Sequence, residues 1–252
     1  MNTETLNART SKRLVTLHRG RTTPGALLTL FFLLAPGAAF AHHGRDFLLV
    51  QTAELPHKGE IYLVARQDYL DEGEEEEIEL EPAVIFGLTG RLAFEVHSHV
   101  AREGDESFEY ESTSPALHLR LSPLRSAWGL GLSAEYEIAS GDEEDHAEAR
   151  LVLSRFVGGA RVAFNLIAEE EQSSGAEVEW GYAVGFRARL GERSGWGLEA
   201  RGGFESDAEA EALFGLYFEP SNRVTMQLGA GTALGDEGPD LSIRTALVFR
   251  LR

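Results

Sequence analysis

LDEGEEEEIELEPAVIFGLTGRLAFEV, residues 70–96, passes from an acidic run to an apolar–polar alternation, a tight Gly90-Arg91 turn and a second alternation. Successive residues of an extended chain point to opposite faces, so Ile78, Leu80, Val84 and Phe86 share one side and Glu77, Glu79 and Glu81 the other. The same division runs through Ala176 to Leu190, with Ala176, Val178, Trp180, Tyr182, Val184, Phe186, Ala188 and Leu190 on one face. Glu177, Glu179, Gly181, Ala183, Gly185, Arg187 and Arg189 occupy the other. One face is wholly apolar and the other small or charged, which suits a strand between two different solvents.

Reading on from residue 59, alternation and turn residues predict about twelve strands. They cover 60–69, 77–88, 91–101, 107–121, 126–138, 147–156, 160–169, 176–190, 195–204, 210–219, 223–234 and 240–251. Pro82 removes a ladder donor within the second and predicts a bulge there.

The connections decide the architecture, because they fall into two alternating classes. DEGEEEE, REGDE, SGDEEDH, EEEQSSG, ESDAEAE and GDEG are acidic; LTGR, SPLR, VGGAR, GERSG and EPSNR are short and each carries an arginine. A soluble sandwich has no reason to sort charge by alternate loops, whereas an up-and-down barrel does, since alternate loops emerge on opposite sides of the membrane. A sheet in lipid must close on itself to satisfy its edges, and bacterial single-chain barrels pair an even strand number with short periplasmic turns. The expected fold is therefore all-β: an up-and-down antiparallel transmembrane β-barrel of about twelve strands, with acidic loops outside and both termini in the periplasm. Trp128 and Trp196 beside the short turns, and Tyr69, Tyr136, Trp180 and Tyr182 toward the acidic loops, match two interfacial girdles.

The N-terminus reads as an export signal. Lys12, Arg13, Arg19 and Arg21 precede the apolar run Ala26 to Ala35, and Ala39-Phe40-Ala41 offers a cleavage site after Ala41. The run is shorter than the ~20 residues of a spanning helix. The expected organisation is a signal peptide over 1–41, a periplasmic N-terminal segment over 42–58 and the barrel over 59–252, in the outer membrane of a Gram-negative cell. Losing five basic residues and Glu4 takes the net charge from −18 to −22. That excludes nucleic acid as a partner, because its phosphates would be repelled. The chain has no cysteine, so a disulfide framework and thiol chemistry are excluded.

Glu81-Pro82-Ala83-Val84-Ile85-Phe86-Gly87-Leu88-Thr89, a strand running into a tight turn, resembles the signature of outer-membrane barrels grouped under the MetA pathway of phenol degradation. The stretch HHGRDFLLVQTAELPHKGEIYL, residues 42–63, is similar to the leader of that group. The resemblance implies a barrel over residues 45–252 that transports small, often hydrophobic compounds, and it carries over no binding residues. One departure stands out: such barrels generally finish on an aromatic residue read by the barrel assembly machinery, whereas this chain finishes Phe249-Arg250-Leu251-Arg252.

Within the expected lumen, acids gather toward the outer mouth and bases toward the periplasmic end. Glu177 and Glu179 share a strand face with Arg187 and Arg189, and Glu169 stands above Arg161. Such a field admits cations or neutral solutes and disfavours anions; alternatively the charges pair and fill a closed interior. Glu95, His97 and His99 alternate on one face, neighbours roughly 6.5–7 Å apart. With no second cluster to complete a metal site, they are read as lumen lining. His42-His43 behind the cleavage site, and Asp71, Glu72, Glu74 and Glu75 in the first acidic loop, are weaker metal candidates. No cofactor is implied: Gly229-Ala230-Gly231 sits mid-strand with no helix after it, and no Gly-x-Ser-x-Gly elbow appears. The sequence thus points to a non-enzymatic channel for small hydrophobic or cationic solutes. The alternative is a closed barrel whose acidic loops bind divalent ions, lipopolysaccharide or a partner.

Overall fold

The structure is a computed structural model and describes residues 46–251 apart from 72, 74, 75, 142, 206, 207, 236 and 237. The expected signal peptide, His42, His43, Glu72, Glu74 and Glu75 lie outside the described residues. Twelve strands follow one another with no helix among the described residues: β1 (Ile61–Asp71), β2 (Glu76–Gly87), β3 (Leu92–Glu103), β4 (Glu109–Arg120), β5 (Trp128–Ala139), β6 (His146–Val157), β7 (Ala160–Glu171), β8 (Glu179–Arg189), β9 (Ser194–Gly203), β10 (Ala210–Ser221), β11 (Val224–Ala233) and β12 (Leu241–Arg250). Each pairs antiparallel with its sequence neighbours, and β1 pairs with β12 from Tyr62↔Arg250 to Asp71↔Leu241, so the sheet closes without an edge.

The period-two pattern translates directly into inside and outside. Trp180, Val184, Leu198, Phe214, Leu228 and Ile243 face outward and are exposed, while Ala183, Glu199, Leu213 and Arg244 between them are buried. Exposed aromatic rings collect at both rims: Trp128, Phe156, Phe218 and Phe249 beside the short turns, Tyr110, Tyr136, Trp180 and Phe204 beside the acidic loops. Arg155 lies over the Trp128 ring, 4.9 Å from its centroid. An exterior this apolar, banded by aromatic rings at both ends, suits a hydrocarbon slab rather than water.

The short turns are built for the twist of the strands they join. Val157 pairs with Ala160, leaving Gly158 and Gly159 as a two-residue loop with φ of 58° and 86°. Positive φ at both positions is what the hairpin turn matching strand twist requires, and glycine adopts it without strain. The bulge predicted at Pro82 does not form. Leu80 pairs with Val100 and Ala83 with His97, so the register to β3 is the same on both sides of the proline. Pro82 still pairs with Ala65 on the β1 side, and the missing N–H is accommodated as a local gap in the ladder rather than an inserted residue. Bulges occur instead at His99/Val100 and between Phe218 and Ser221.

Candidate functional site

A twelve-stranded wall encloses more space than its own side chains fill, since eight strands give an interior just wide enough for side chains and sixteen leave a water-filled channel. Residues 46–56, which the sequence places ahead of the barrel, fold back into that space. Phe47, Leu48, Val50, Thr52 and Ala53 are each 5% exposed or less. Phe47 and Val50 pack with Ala163, Ala183 and Tyr217, Leu48 packs with Leu213 and Ala246, and Leu55 packs against Tyr62, Val64 and Ile85. Burying a side chain of the size of Phe, Leu or Val contributes about 1.5–3 kcal/mol, which offsets much of the conformational entropy lost when the segment is ordered.

Polar contacts fix the position. The Glu199 carboxylate on β9 accepts three successive backbone N–H groups, from Leu48 at 3.0 Å, Leu49 at 2.6 Å and Val50 at 3.2 Å. Tyr217 donates its hydroxyl to the same carboxylate. Hydrogen bonds to an ionised acceptor are roughly twice as strong as neutral ones, and the chain has no regular structure here to satisfy those amides otherwise. Asn165 on β7 reads Gln51 in both directions: its Oδ1 accepts from the Gln51 N–H at 2.8 Å and its Nδ2 donates to the Gln51 carbonyl at 2.9 Å. Arg66 on β1 donates to the Leu48 carbonyl at 2.8 Å.

The base of the segment is held by one guanidinium. Arg161, 3% exposed near the short-turn end of β7, donates to Asp46 through Nη1 and to Glu54 through Nη2. Residues 46–54 are therefore a loop pinched at its two ends by a single side chain and pushed into the lumen from the short-turn side. Arg187 supports the same corner, donating to the Asp46 carbonyl at 3.2 Å and to Glu219 at 2.7 Å.

The wall makes room for the loop where it lies closest. A Cβ on Gly185 would stand 2.9 Å from the Phe47 ring and 3.1 Å from Val50, and one on Gly129 would stand 3.0 Å from Ala53 Cβ. Gly185→Val therefore meets the loop and should lower stability by about 1–3 kcal/mol, the usual cost of overpacking. The thermal midpoint in detergent checks this. The same substitution in a chain lacking residues 46–56 should cost little or nothing, because Val suits a strand better than Gly; equal losses in both backgrounds would mean the loop is not seated there.

Around the loop the lumen wall carries networks of its own. Arg244 bridges Asp68 and Glu211, the latter at 2.9 Å, and Arg66 binds Glu81 at 2.7 Å. Glu95, 1% exposed, accepts from His118 Nε2 at 2.9 Å, and His97 Nε2 lies 3.2 Å from Glu135. At the turn before β1, Glu60 is held below the ordinary carboxylate range. Burial pushes it up, but the His57 N–H, the Tyr62 hydroxyl and the Arg250 guanidinium outweigh that.

The residues singled out from sequence separate into two groups. Arg161, Arg187, Glu95 and His97 come to the interior, with His99 half-buried beside His97 at 5.2 Å between ring centroids. Glu177 precedes β8 and Glu179 begins it, both exposed at the acidic rim, while Arg189 ends the strand exposed at the opposite rim. Glu177 and Glu179 do not converge with Arg187 and Arg189, because the length of β8 separates the acids from the bases. Glu169 is also near the acidic rim, 3.6 Å from His146. Asp71 ends β1 and caps the following turn through the Gly73 N–H at 2.9 Å. Sequence reasoning missed Glu199, Asn165, Tyr217, Asp46 and Glu54; the available signal was the run of small residues on the inner faces, which marks space for something to occupy.

A closed antiparallel wall with an apolar exterior and a charged, filled interior defines a porin-like β-barrel. Among solved structures it is similar to the KdgM porin, with a TM-score of 0.58 at 9% identity over 76% of this chain and 99% of that one. It is likewise similar to the NanC porin, with a TM-score of 0.56 at 10% identity over 75% of this chain and 100% of that one. The likeness is one of fold. No protein-family model matches the chain, and no curated protein matches its sequence.

Proposed function

We propose that this protein is an outer-membrane channel for small solutes whose lumen is closed by its own residues 46–56. The observation that carries the reading is how the interior is filled. A barrel meant to stay solid can fill itself with apolar side chains from its wall. Here the inner faces carry glycines and charges, and the filling is a separate loop held by hydrogen bonds and ion pairs. Both ends of that loop lie at the short-turn rim, so it can withdraw without breaking any strand pairing. The acidic loops are extracellular in this reading and the short arginine turns periplasmic, the side from which the loop inserts. The resemblance to the MetA-pathway barrels, with their small and often hydrophobic cargo, supports the same class of solute.

Another porin of this fold, KdgM, has been solved in complex with disordered oligogalacturonate, a polyanion. The strongly acidic rim of the present chain argues for neutral or cationic cargo instead. Liposomes carrying the refolded protein and loaded with cationic, anionic, neutral polar and aromatic solutes test this. Cationic and neutral solutes should pass faster than anions of equal size, and preferential anion passage would sink the proposed selectivity.

The filled lumen also supports a second reading, a closed barrel whose acidic loops bind divalent ions, lipopolysaccharide or a partner. Replacing Glu72, Glu74 and Glu75 by Gln separates the two. Solute flux should persist if the channel reading holds, whereas a protein that never conducts but loses lipopolysaccharide binding with this change is the surface-interaction barrel.

A further inference from the structure

We infer that Glu81, Glu95 and His97 form a binding site for a divalent transition-metal ion of the zinc class inside the barrel. One ligand atom from each, a carboxylate oxygen from the two glutamates and a ring nitrogen from His97, lie within 4.8 Å of one another. All three side chains project inward from neighbouring strands: Glu95 and His97 are successive inward positions of β3, and Ala83, which pairs with His97, is the inward neighbour of Glu81 on β2.

The orientation of His97 points to a cation. Its Nε2 lies 3.2 Å from Glu135 Oε1, so the ring donates there and presents Nδ1 to the interior, as a lone pair when the ring is neutral. His97 is 5% exposed, and its Nδ1 is buried and makes no hydrogen bond among the described residues. What it faces is Glu95 Oε1 at 3.6 Å. A nitrogen lone pair opposite a carboxylate oxygen is repulsive unless a positive charge, a metal ion or a proton on Nδ1, sits between them. Ligand atoms of a four-coordinate zinc site, with bonds of about 2.0–2.2 Å, lie about 3.3–3.5 Å apart, close to the 3.6 Å between His97 Nδ1 and Glu95 Oε1, and Glu81, within 4.8 Å, closes in by a side-chain adjustment. One imidazole and two carboxylates, with a position left for water, is a donor set that suits zinc and its neighbours.

The surroundings hold the ligands as an outer shell does in metal sites. His118 Nδ1 receives Gln51 Nε2 at 2.8 Å and lies 2.9 Å from Ser133 Oγ, which leaves Nε2 as the protonated nitrogen donating to Glu95 Oε2 at 2.9 Å. His118 is thus a positioning residue, and through Gln51 it ties Glu95 to the inserted loop. Arg66 steadies Glu81 from the other side at 2.7 Å. The site does not depend on whether the barrel conducts.

Calorimetric titration of the refolded mature chain with Zn²⁺, in excess Mg²⁺ to occupy surface carboxylates, tests the site. One ion per chain is expected, with affinity falling about 100-fold or more in His97→Ala and about 10–100-fold in His118→Ala, the range seen when an outer-shell partner is lost. X-ray absorption at the zinc edge of the unmutated chain should show one imidazole nitrogen with oxygen neighbours, a result that needs no variant to fold. Absence of stoichiometric binding, an oxygen-only shell, or equal affinity in folded His97→Ala would overturn the site. A proton shared among His97, Glu95 and Glu135 would then be the cation.

Discussion

Deleting residues 46–56 is expected to convert a barrel of low conductance into an open pore. Planar-bilayer recordings should show single-channel conductance rising at least about tenfold, since a twelve-stranded wall is wider than its own side chains fill and the loop supplies the filling. The deletion removes Phe47, Leu48 and Val50 and empties the space lined by Ala163, Ala183 and Gly185. It leaves the sheet intact, because none of the removed residues belongs to a strand. The shortened chain should therefore still migrate faster unboiled than boiled on a detergent gel. Unchanged conductance with the gel shift preserved would mean that the lumen is blocked by its remaining side chains and that the loop is no gate.

The second large effect concerns Arg161. Replacing it with Met keeps the unbranched stem of the side chain but leaves Asp46 and Glu54 without their shared guanidinium. Removing one partner of a buried ion pair costs about 3–5 kcal/mol. Arg187 stays 3.6 Å from Asp46 and Arg120 stays 3.8 Å from Glu54, which places the effect at the lower end, about 3 kcal/mol. That corresponds to a roughly 100-fold larger population with the loop withdrawn. Limited proteolysis between residues 46 and 56, compared with the unmutated chain, reads this population directly. Adding Asp46→Asn and Glu54→Gln to the Met variant should recover much of the protection, because two neutral amides do not require the lost charge. If the triple variant is cut as fast as the single one, the pinch at Arg161 is not what seats the loop.

The wall of this barrel was legible residue by residue, and its filling was not. Strands between lipid and lumen must alternate, so Trp180, Val184 and Phe186 announce one side of β8 and Ala183 and Gly185 the other. The alternate acidic and arginine-bearing connections then give the barrel its two ends. Residues 46–56 follow no such rule. Their partners, Glu199, Asn165 and Arg161, lie between 107 and 151 positions away, and an irregular segment that satisfies its amides with a distant carboxylate leaves no period to read. The glycines of the inner faces were visible, but a small residue beside a charged one looks the same whether it lines water or a seated chain. Glu95 and His97 were legible as an inward pair; Glu81, on the neighbouring strand, joins them only once the β2–β3 register is known.

The seat of the loop also imposes an order on assembly. Residues 46–56 leave the ribosome before any strand they will touch, yet the groups that receive them come from β1, β4, β7, β9, β10 and β12, and these surround a common space only after the first strand meets the last. A segment made before every strand is thus among the last to find its place, and until the wall closes, Phe47-Leu48-Leu49-Val50 travels as an exposed apolar run needing the protection of whatever escorts the chain to the membrane.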